Sequence, residues 1–335
     1  MLKSKILSLI DFVKNTNILI TSHDSTDIDG FASSIALKHL LNKKYEQREI
    51  WCYFSKISKA TKDFIKKFRA KFPEFSLEFA TESPNLQKYE TLLILDTNNP
   101  EQVPILPKFK ESGKDKSHFY IDHHINNFGV QSKEKSIIYD EISSTAELIS
   151  QFYQALDESP PKEIRFLLVA AILTDSGFFK HGTSETIAHA SQLLNQEVPY
   201  QEILHLLKRE KKVSEKIARI KGLQRVQLIR CHEWLLGISH IGSYEAEVAS
   251  TLVKIGFDVS VVLSRKKKEF RISTRAKKRV CKEMGLHLGK ILEEIANKHR
   301  ISGGGHDGAA AINGENNAQR VQNEIIGAIK QILNN

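Results

Sequence analysis

The segment SHFYIDHH, residues 117–124, ends a strand-like apolar run with one carboxylate and two imidazoles, those of Asp122, His123 and His124. Alone this triplet is a weak signal, because neighbouring side chains on a strand point to opposite faces and short motifs recur by chance. Its meaning depends on whether other apolar runs of the chain end in the same chemistry.

Three other apolar runs also end at acidic or imidazole residues. These are residues 17–22, followed by His23, Asp27 and Asp29; residues 92–95, followed by Asp96; and residues 166–173, followed by Asp175. In an open parallel sheet the carboxyl ends of the strands share one edge, and ligands bind in the crevice outside that edge. We therefore predict that these side chains, although distant in sequence, converge on one site.

The first half of the chain alternates short apolar runs with helical stretches, which predicts an α/β domain with a largely parallel sheet. The predicted strands are residues 17–22, 49–54, 76–80, 91–95 and 117–121, and the predicted helices are residues 1–14, 30–42, 60–72, 144–156 and 162–173. Ser144 and Glu147 match a capping box at the start of one of these helices.

The second half predicts a connector and a smaller α/β domain. After residue 182 the chain has the pattern of helices rich in Lys, Arg, Glu and Gln, and from residue 233 strands and helices alternate again, with a glycine loop at residues 303–306 between the last two helices. We predict a domain of residues 1–185, a helical connector of residues 186–226 and a domain of residues 227–335, with the active-site cleft between the two domains.

Composition places the chain among ordinary globular proteins, with 335 residues, 41% of them hydrophobic. No apolar run reaches the roughly 18 residues that span a membrane, and the N-terminus lacks the layout of a secretory signal, so no membrane partner is expected. The three cysteines are odd in number and lack CxxC spacing, so neither a disulfide framework nor a thiolate zinc site is indicated, and a reducing cytoplasm is expected.

The formal net charge of +9 favours anionic partners. Basic residues cluster at residues 265–268 and 277–279, with Arg271 and Arg275 between them. This segment is either a solvated face of a lysine-rich protein or a phosphate-binding surface, and the sequence leaves both interpretations open.

The spacing His23-x-x-x-Asp27-x-Asp29 places three potential ligands in a turn between a strand and a helix. Carboxylates with an imidazole favour Mn, Mg, Fe or Co, and carboxylates massed at one edge repel one another unless cations neutralise them. Two divalent ions about 3.5–4 Å apart would do so and would clamp the oxygens of a phosphoryl displacement. Singly, Asp27 or Asp29 could be a helix cap and Asp96 a turn former; the recurrence on four elements favours the metal site.

These motifs resemble those of the DHH phosphoesterase family, named for the triplet that is residues 122–124 here. The first motif is similar to His23-x-x-x-Asp27-x-Asp29, the second to Asp96 and the fourth to Asp175. Residues 303–306, GGGH, followed by two alanines resemble the signature of the associated DHHA1 domain. The chain departs from the family pattern at residues 30–33 and at Ala311, and neither departure removes a ligand.

The resemblance implies roles for individual residues. One ion would be held by His23, Asp27 and Asp96, and the other by Asp29, Asp96, His123 and Asp175, with manganese expected and magnesium or cobalt as alternatives. Asp122 would orient a histidine, and His124 would stabilise charge on the substrate phosphate or protonate the leaving oxygen. The substrate would contact Ser273, Arg275, Gly303, Gly304, Gly305 and His306.

Within the family, the branch of similar length and domain content contains nanoRNases and 3′-phosphoadenosine 5′-phosphate phosphatases. The resemblance therefore implies a manganese-dependent exonuclease for very short single-stranded RNA that also dephosphorylates the bisphosphate nucleotide. Three alternatives stay open: a cyclic- or linear-dinucleotide phosphodiesterase, a RecJ-type exonuclease for single-stranded DNA, and a nucleotide- or RNA-binding module with an inactive site. A homodimer is also left open.

Overall fold

The computed structural model describes residues 2–45, 47–125, 136–208 and 211–334. The chain divides into two compact units, residues 1–209 and 210–335. Each unit contains its own β-sheet and its own hydrophobic core. Within the described ranges, no helix combines the length and the apolar character needed to cross a membrane.

The first unit is built on a five-stranded sheet whose strands all run parallel, as the α/β pattern predicts, although the sequence does not predict the short strand at residues 137–138. Its strands, in the order β2-β1-β3-β4-β5, are β1 (Ile18–Ser22), β2 (Ile50–Cys52), β3 (Thr91–Leu95), β4 (Ser117–Asp122) and β5 (Ile137–Ile138). Its helices are α1 (Leu2–Val13), α2 (Ile28–Lys44), α3 (Lys59–Lys71), α4 (Leu106–Glu111), α5 (Thr145–Ala155), α6 (Lys162–Asp175), α7 (Ser184–Leu193) and α8 (Tyr200–Leu207). Every residue of β1 and β3 is buried, as expected for central strands covered on both faces.

Two local predictions need correction. The strand predicted at residues 76–80 is wrong, because only Ala80 pairs, in an isolated bridge with Tyr53. Its apolar residues serve packing instead: the Phe79 ring lies edge-on to those of Phe31 and Phe54, at 5.3 and 5.7 Å between centroids. The alternation of apolar residues therefore reflects a loop that covers the core.

The capping box at the start of α5 is only half formed. Ser144 accepts a hydrogen bond from the Glu147 N–H at 3.1 Å. The Glu147 carboxylate accepts from the N–H and the hydroxyl of Ser143, one residue earlier than the motif predicts. Its other oxygen lies 2.6 Å from His189 Nδ1, so α7 competes for this buried side chain.

The second unit contains a mixed six-stranded sheet in the order β10-β11-β9-β8-β7-β6, in which only β7 and β8 run parallel. Its elements are α9 (Val213–Gln224), β6 (Gln227–Cys231), β7 (Trp234–Ile241), α10 (Glu245–Ile255), β8 (Val259–Lys266), β9 (Glu269–Ala276), α11 (Lys278–Met284), α12 (Leu288–His299), β10 (Ser302–Gly305), β11 (Ala309–Glu315) and α13 (Ala318–Leu333). The sequence does not predict β6, whose side chains are mostly exposed.

The predicted glycine loop is also wrong, because Gly303, Gly304 and Gly305 lie in β10 and pair with β11. Glycine is a poor strand former, which is why the sequence favours a loop here. Backbone conformation explains two of these glycines, because Gly304 and Gly305 have φ of +154° and +147°. Helix α12 packs against the same strand, and a Cβ on its Gly289 would lie 2.1 Å from the Gly305 carbonyl oxygen. Gly289 therefore lets the helix approach the strand backbone this closely.

Candidate metal centre

The turn between β1 and α2 presents His23, Asp27 and Asp29. Asp27 is the N-cap of α2, and its Oδ1 accepts from the N–H groups of Asp29 and Gly30 at 2.9 and 3.1 Å. The same oxygen lies 3.9 Å from His23 Nε2. Asp27 therefore combines the capping role with a position beside a possible ligand partner.

Asp96 follows β3 in a left-handed backbone conformation, with φ +62°, and its side chain is only 3% exposed. Its Oδ2 lies 3.8 Å from His23 Nε2. A Cβ on Gly30 would lie 2.1 Å from Ser22 Oγ and 3.1 Å from this Oδ2. Glycine at position 30 is therefore what allows α2 to begin so close to the carboxylate.

Asp122 ends β4 and is fully buried, with both carboxylate oxygens hydrogen-bonded by the protein. Oδ1 accepts from His123 N–H at 2.9 Å and contacts His124 Nδ1 at 2.8 Å, and Oδ2 accepts from Asn98 Nδ2 at 2.8 Å. Asn98 also donates to the carbonyls of His124 and Ile125. Sequence reasoning missed Asn98, which looked like part of a turn before a proline.

The N-terminus of α5 holds two of the carboxylates. The N–H groups of Thr145 and Ala146 donate to Asp29 at 2.7 and 2.9 Å, and the Thr145 hydroxyl donates to Asp96 Oδ1 at 3.1 Å. A helix N-terminus carries partial positive charge, so this contact offsets some of the local negative charge. The Ser144 cap signalled a helix start, but nothing in the sequence indicated which residues that start would contact.

Asp175 ends α6 and brings the fourth motif to the same place. Its Oδ2 lies 3.2 Å from His123 Nε2, which in turn lies 3.7 Å from Asp96 Oδ1. Although this nitrogen is buried, it makes no hydrogen bond with any residue that the structure describes. A buried polar atom that makes no hydrogen bond, although carboxylate oxygens lie close to it, is uncommon in folded proteins and fits a nitrogen placed to bind a metal ion.

The structure thus brings together every residue predicted for this site. Three groups of side chains each place their ligand atoms within 4.8 Å of one another. They are His23, Asp27 and Asp96; Asp29, His123 and Asp175; and Asp96, Asp122, His123 and His124. Because the donors are carboxylate oxygens and imidazole nitrogens, the groups fit divalent ions such as Mn²⁺ or Mg²⁺.

Burial and mutual repulsion perturb the titration of the cluster. Burial, followed by repulsion from nearby carboxylates, raises the pKa of Asp29 and Asp96 well above the usual value and that of Asp175 to about 6. Burial and the neighbouring His124 lower the pKa of His123 to about 4. The hydrogen bond with Asp122 raises the pKa of His124. Ionising these buried carboxylates together therefore costs free energy, and bound cations would offset that cost by neutralising their charge.

The predicted substrate residues all lie in the second unit. Ser273 and Arg275 share one face of β9; Ser273 is buried and Arg275 is half-buried. In the next strand Ala311 pairs with both Ser273 and Gly304, so these two flank it. Gly303 and Gly305 lie in the same strand as Gly304, and His306 follows them, exposed.

Known protein domains match both halves of the chain. The DHH family N-terminal domain matches residues 17–172, and the DHHA1 domain matches residues 246–335. The uncharacterized protein MJ0988 of Methanocaldococcus jannaschii is 29% identical over 330 residues, 98% of this chain and 95% of that protein. The uncharacterized protein MJ1633 of the same organism is 26% identical over 305 residues, 89% of this chain and 58% of that protein.

A solved structure is similar over the whole chain. An exopolyphosphatase-related protein from Bacteroides fragilis superimposes with a TM-score of 0.66 at 19% identity, covering 99% of this chain and 98% of that one. At this identity the likeness supports the fold alone.

Proposed function

The chain belongs to the DHH family of metal-dependent phosphoesterases, and from that premise we propose that it hydrolyses very short oligoribonucleotides, with manganese as its ion. A nucleoside bisphosphate such as 3′-phosphoadenosine 5′-phosphate is the proposed second substrate. The observation that carries the proposal is the convergence of two ligand groups, His23–Asp27–Asp96 and Asp29–His123–Asp175, at one sheet edge.

Two divalent ions fit these residues. His23, Asp27 and Asp96 would hold one, and Asp29, Asp96, His123 and Asp175 would hold the other. The His123 Nε2, which is buried and makes no hydrogen bond with a described residue, and the raised pKa values of Asp29 and Asp96 support this assignment. When bound, the ions supply positive charge that attracts the phosphate and lowers the pKa of the attacking water.

His124 is the proposed proton donor to the leaving oxygen. Asp122 holds its Nδ1 at 2.8 Å, which fixes the ring and leaves Nε2 free for the substrate. The same contact raises the pKa of His124, so the ring keeps its proton closer to neutral pH. The side chain is 56% exposed, as a group that meets substrate must be.

Substrate recognition is proposed for the second unit. A guanidinium such as that of Arg275 can bind two phosphate oxygens at once. Strand β10 is at the edge of its sheet, so a phosphate can approach its glycine backbone without displacing a neighbouring strand. The formal charge of +9 further favours a polyanionic substrate.

The test is parallel turnover of a panel of substrates with Mn²⁺. The panel comprises a diribonucleotide, a five-nucleotide RNA, long single-stranded DNA, 3′-phosphoadenosine 5′-phosphate, cyclic di-AMP and, because of the Bacteroides fragilis relative, linear polyphosphate. We expect rapid loss of the first two and slow loss of long DNA. Preference for long DNA, cyclic di-AMP or polyphosphate would overturn the proposed substrate, and no turnover of any member would overturn the enzymatic assignment.

Arg275 offers a second test of the same proposal. Arg275→Ala should raise KM for the diribonucleotide about tenfold or more while changing kcat little, because it removes a contact made in both the bound and the transition state. Arg271→Ala, on the same strand and paired with Glu245 at 3.3 Å, is the matched control. Equal effects of the two substitutions would show that charge alone, and not Arg275, matters.

A further inference from the structure

A cavity of about 520 Å³ lies within the second unit, lined by residues of β6, β7, β8 and α13 together with Arg225. Its apolar lining includes Ile229, Ile238, Leu263 and Ile326. The volume falls within the range of about 300–1,000 Å³ that is typical of small-molecule sites.

This cavity is distinct from the proposed substrate residues. Leu263 and Arg265 pair with residues of β9 that alternate with Ser273 and Arg275, so they face the opposite side of the sheet. Nothing in the proposed phosphoesterase mechanism uses this face. The cavity therefore requires an explanation of its own.

The polar lining is cationic. Its positive charge comes from Arg225 and Arg265, and it contains no Asp or Glu. Arg225 donates to the His240 carbonyl at 3.5 Å and Arg265 to Gln319 Oε1 at 3.4 Å, both at the long limit of a hydrogen bond. Neither arginine forms an ion pair with a described residue. Two guanidinium groups without acidic partners favour an anionic ligand.

Helix α13 adds amide groups to the same wall. Gln322 is only 4% exposed, and its Oε1 accepts from Gln319 Nε2 at 3.3 Å. Its own Nε2 donates to no residue in the described parts of the chain and remains accessible at the cavity wall, where a ligand can accept from it. Asn323 also lines the cavity. An amide presents a donor and an acceptor side by side, which is the pattern that matches N6 and N7 of adenine.

We propose that this cavity binds an adenine mononucleotide. The purine lies on the isoleucine side chains, Gln322 bonds its N6 and N7 edge, and Arg225 and Arg265 hold the phosphate. A simple anion would leave the apolar lining in water, and an apolar acid would cover the Gln322 amide without forming a hydrogen bond with it. An adenine mononucleotide has a partner for each part of the lining: its base for the apolar side chains and the Gln322 amide, and its phosphate for the two arginines.

The test is calorimetric titration of the full chain with 5′-AMP in the presence of a chelator, which prevents the metal centre from holding the phosphate. We expect one binding site. Arg265→Ala and Arg225→Ala should each weaken binding about tenfold or more. Lys266→Ala is the matched control, because it removes a charge from the neighbouring residue, whose side chain points to the other face of β8; it should change affinity less than twofold.

Base recognition has its own variant. Gln322→Leu keeps the side-chain size and should reduce the preference for AMP over CMP, and thermal unfolding checks that it folds. Failure of wild-type protein to bind AMP at about 1 mM would overturn the proposal. So would inorganic phosphate binding as tightly as AMP, an equal loss with Lys266→Ala, or a loss with Arg275→Ala but not with Arg265→Ala. None of these outcomes depends on hydrolysis, so the proposed function stands or falls separately.

Discussion

The metal-ligand cluster of the first unit and the glycine strand β10 of the second differ in where their interaction partners come from. The cluster leaves polar groups without favourable partners, whereas the chain itself supplies the partners of β10. In the cluster, Asp29 and Asp96 repel each other and His123 Nε2 is buried without a hydrogen bond to any described residue. In β10, the partners are supplied by the chain itself: β11 pairs with the strand, and α12 packs so closely that Gly289 has no room for a Cβ.

The difference predicts different consequences of substitution. A cluster that needs cations loses function when a ligand is removed but loses little folding stability, because removing a repelled buried carboxylate relieves strain. A strand that is held by close packing loses stability when atoms are added, with no direct effect on chemistry. The variants below test this contrast.

The largest expected effect is that of Asp96→Ala. This carboxylate touches both ligand groups, through His23 at 3.8 Å and His123 at 3.7 Å. We expect kcat to fall about 10³-fold or more, the scale seen when a principal catalytic group is lost. Turnover, Mn²⁺ titration and thermal unfolding of the metal-free protein would measure it. Asp24→Ala, an exposed neighbour of His23, is the control; wild-type turnover in Asp96→Ala would disprove the shared-ligand role.

Gly30→Ala should have the next largest effect. The added Cβ would lie 2.1 Å from Ser22 Oγ and 3.1 Å from Asp96 Oδ2, and relieving these contacts would displace the start of α2 away from both side chains. A misplacement of about 1 Å costs roughly 10² in rate. Steady-state kinetics would measure this loss, and the double variant Ser22→Gly/Gly30→Ala should recover much of it by removing the clashing side chain. A double variant as impaired as the single one would mean that crowding at Ser22 is not the cause.

Gly289→Ala tests the second region. Its Cβ would lie 2.1 Å from the Gly305 carbonyl oxygen, a backbone atom that cannot move cheaply. We expect a loss of about 1–3 kcal/mol of folding free energy and unchanged Mn²⁺ affinity, measured by chemical denaturation and titration. Gly327→Ala, also in a helix but with nothing within 4 Å, is the control and should stabilise slightly. Equal stability of the two variants would contradict the close-packing explanation.

The unfolding temperature should depend on pH differently in the metal-free and the metal-bound protein. Burial raises the pKa of Asp175 to about 6, above the roughly 3.9 of an unfolded chain. Its contribution to stability is therefore full below about pH 4 and is lost as the pH rises through about 6. Protonation of Asp175 should therefore raise the unfolding temperature of the metal-free protein as the pH falls from about 7.5 to about 5.5. Asp175→Asn should lack this contribution.

Saturating Mn²⁺ should reverse the Asp175 contribution, because the ion binds the charged carboxylates. The matched control is Asp24→Asn, which removes an exposed carboxylate close in sequence and should leave the slope of unfolding temperature against pH unchanged. If Asp175→Asn had the wild-type slope in the absence of metal, the assignment of this titration to Asp175 would be wrong.

The contrast also separates what the sequence could predict from what it could not. The strands that end near Ser22, Leu95 and Asp122 follow from apolar runs and turn residues, and the edge rule for parallel sheets then brings their ligands together. Asn98 and Thr145 were not predictable in this way. They bond Asp122 and Asp96, which are 24 and 49 residues away, and no local pattern encodes such a distance.

The error at β10 has a different physical origin. Local propensity disfavours a strand of three successive glycines, and turn chemistry favours a loop. The strand forms because β11 supplies the pairing and because Gly304 and Gly305 adopt φ of +154° and +147°, a backbone region that other residues rarely enter. Tertiary packing therefore overrides a local preference, and a single sequence contains no sign of it.

Thr145→Val should have the smallest effect. It tests whether the Thr145 hydroxyl helps to position Asp96 in the metal-ligand cluster. The substitution keeps the size of the side chain and the two backbone bonds to Asp29 but removes the hydroxyl bond to Asp96 Oδ1 at 3.1 Å. One such bond is worth about 0.5–1.5 kcal/mol, so kcat and Mn²⁺ affinity should each fall about two- to tenfold. Thr145→Ser retains the hydroxyl and should behave like the wild type. If Val and Ser variants were alike, Asp96 would be held by its backbone and burial alone, and the hydroxyl would have no positioning role.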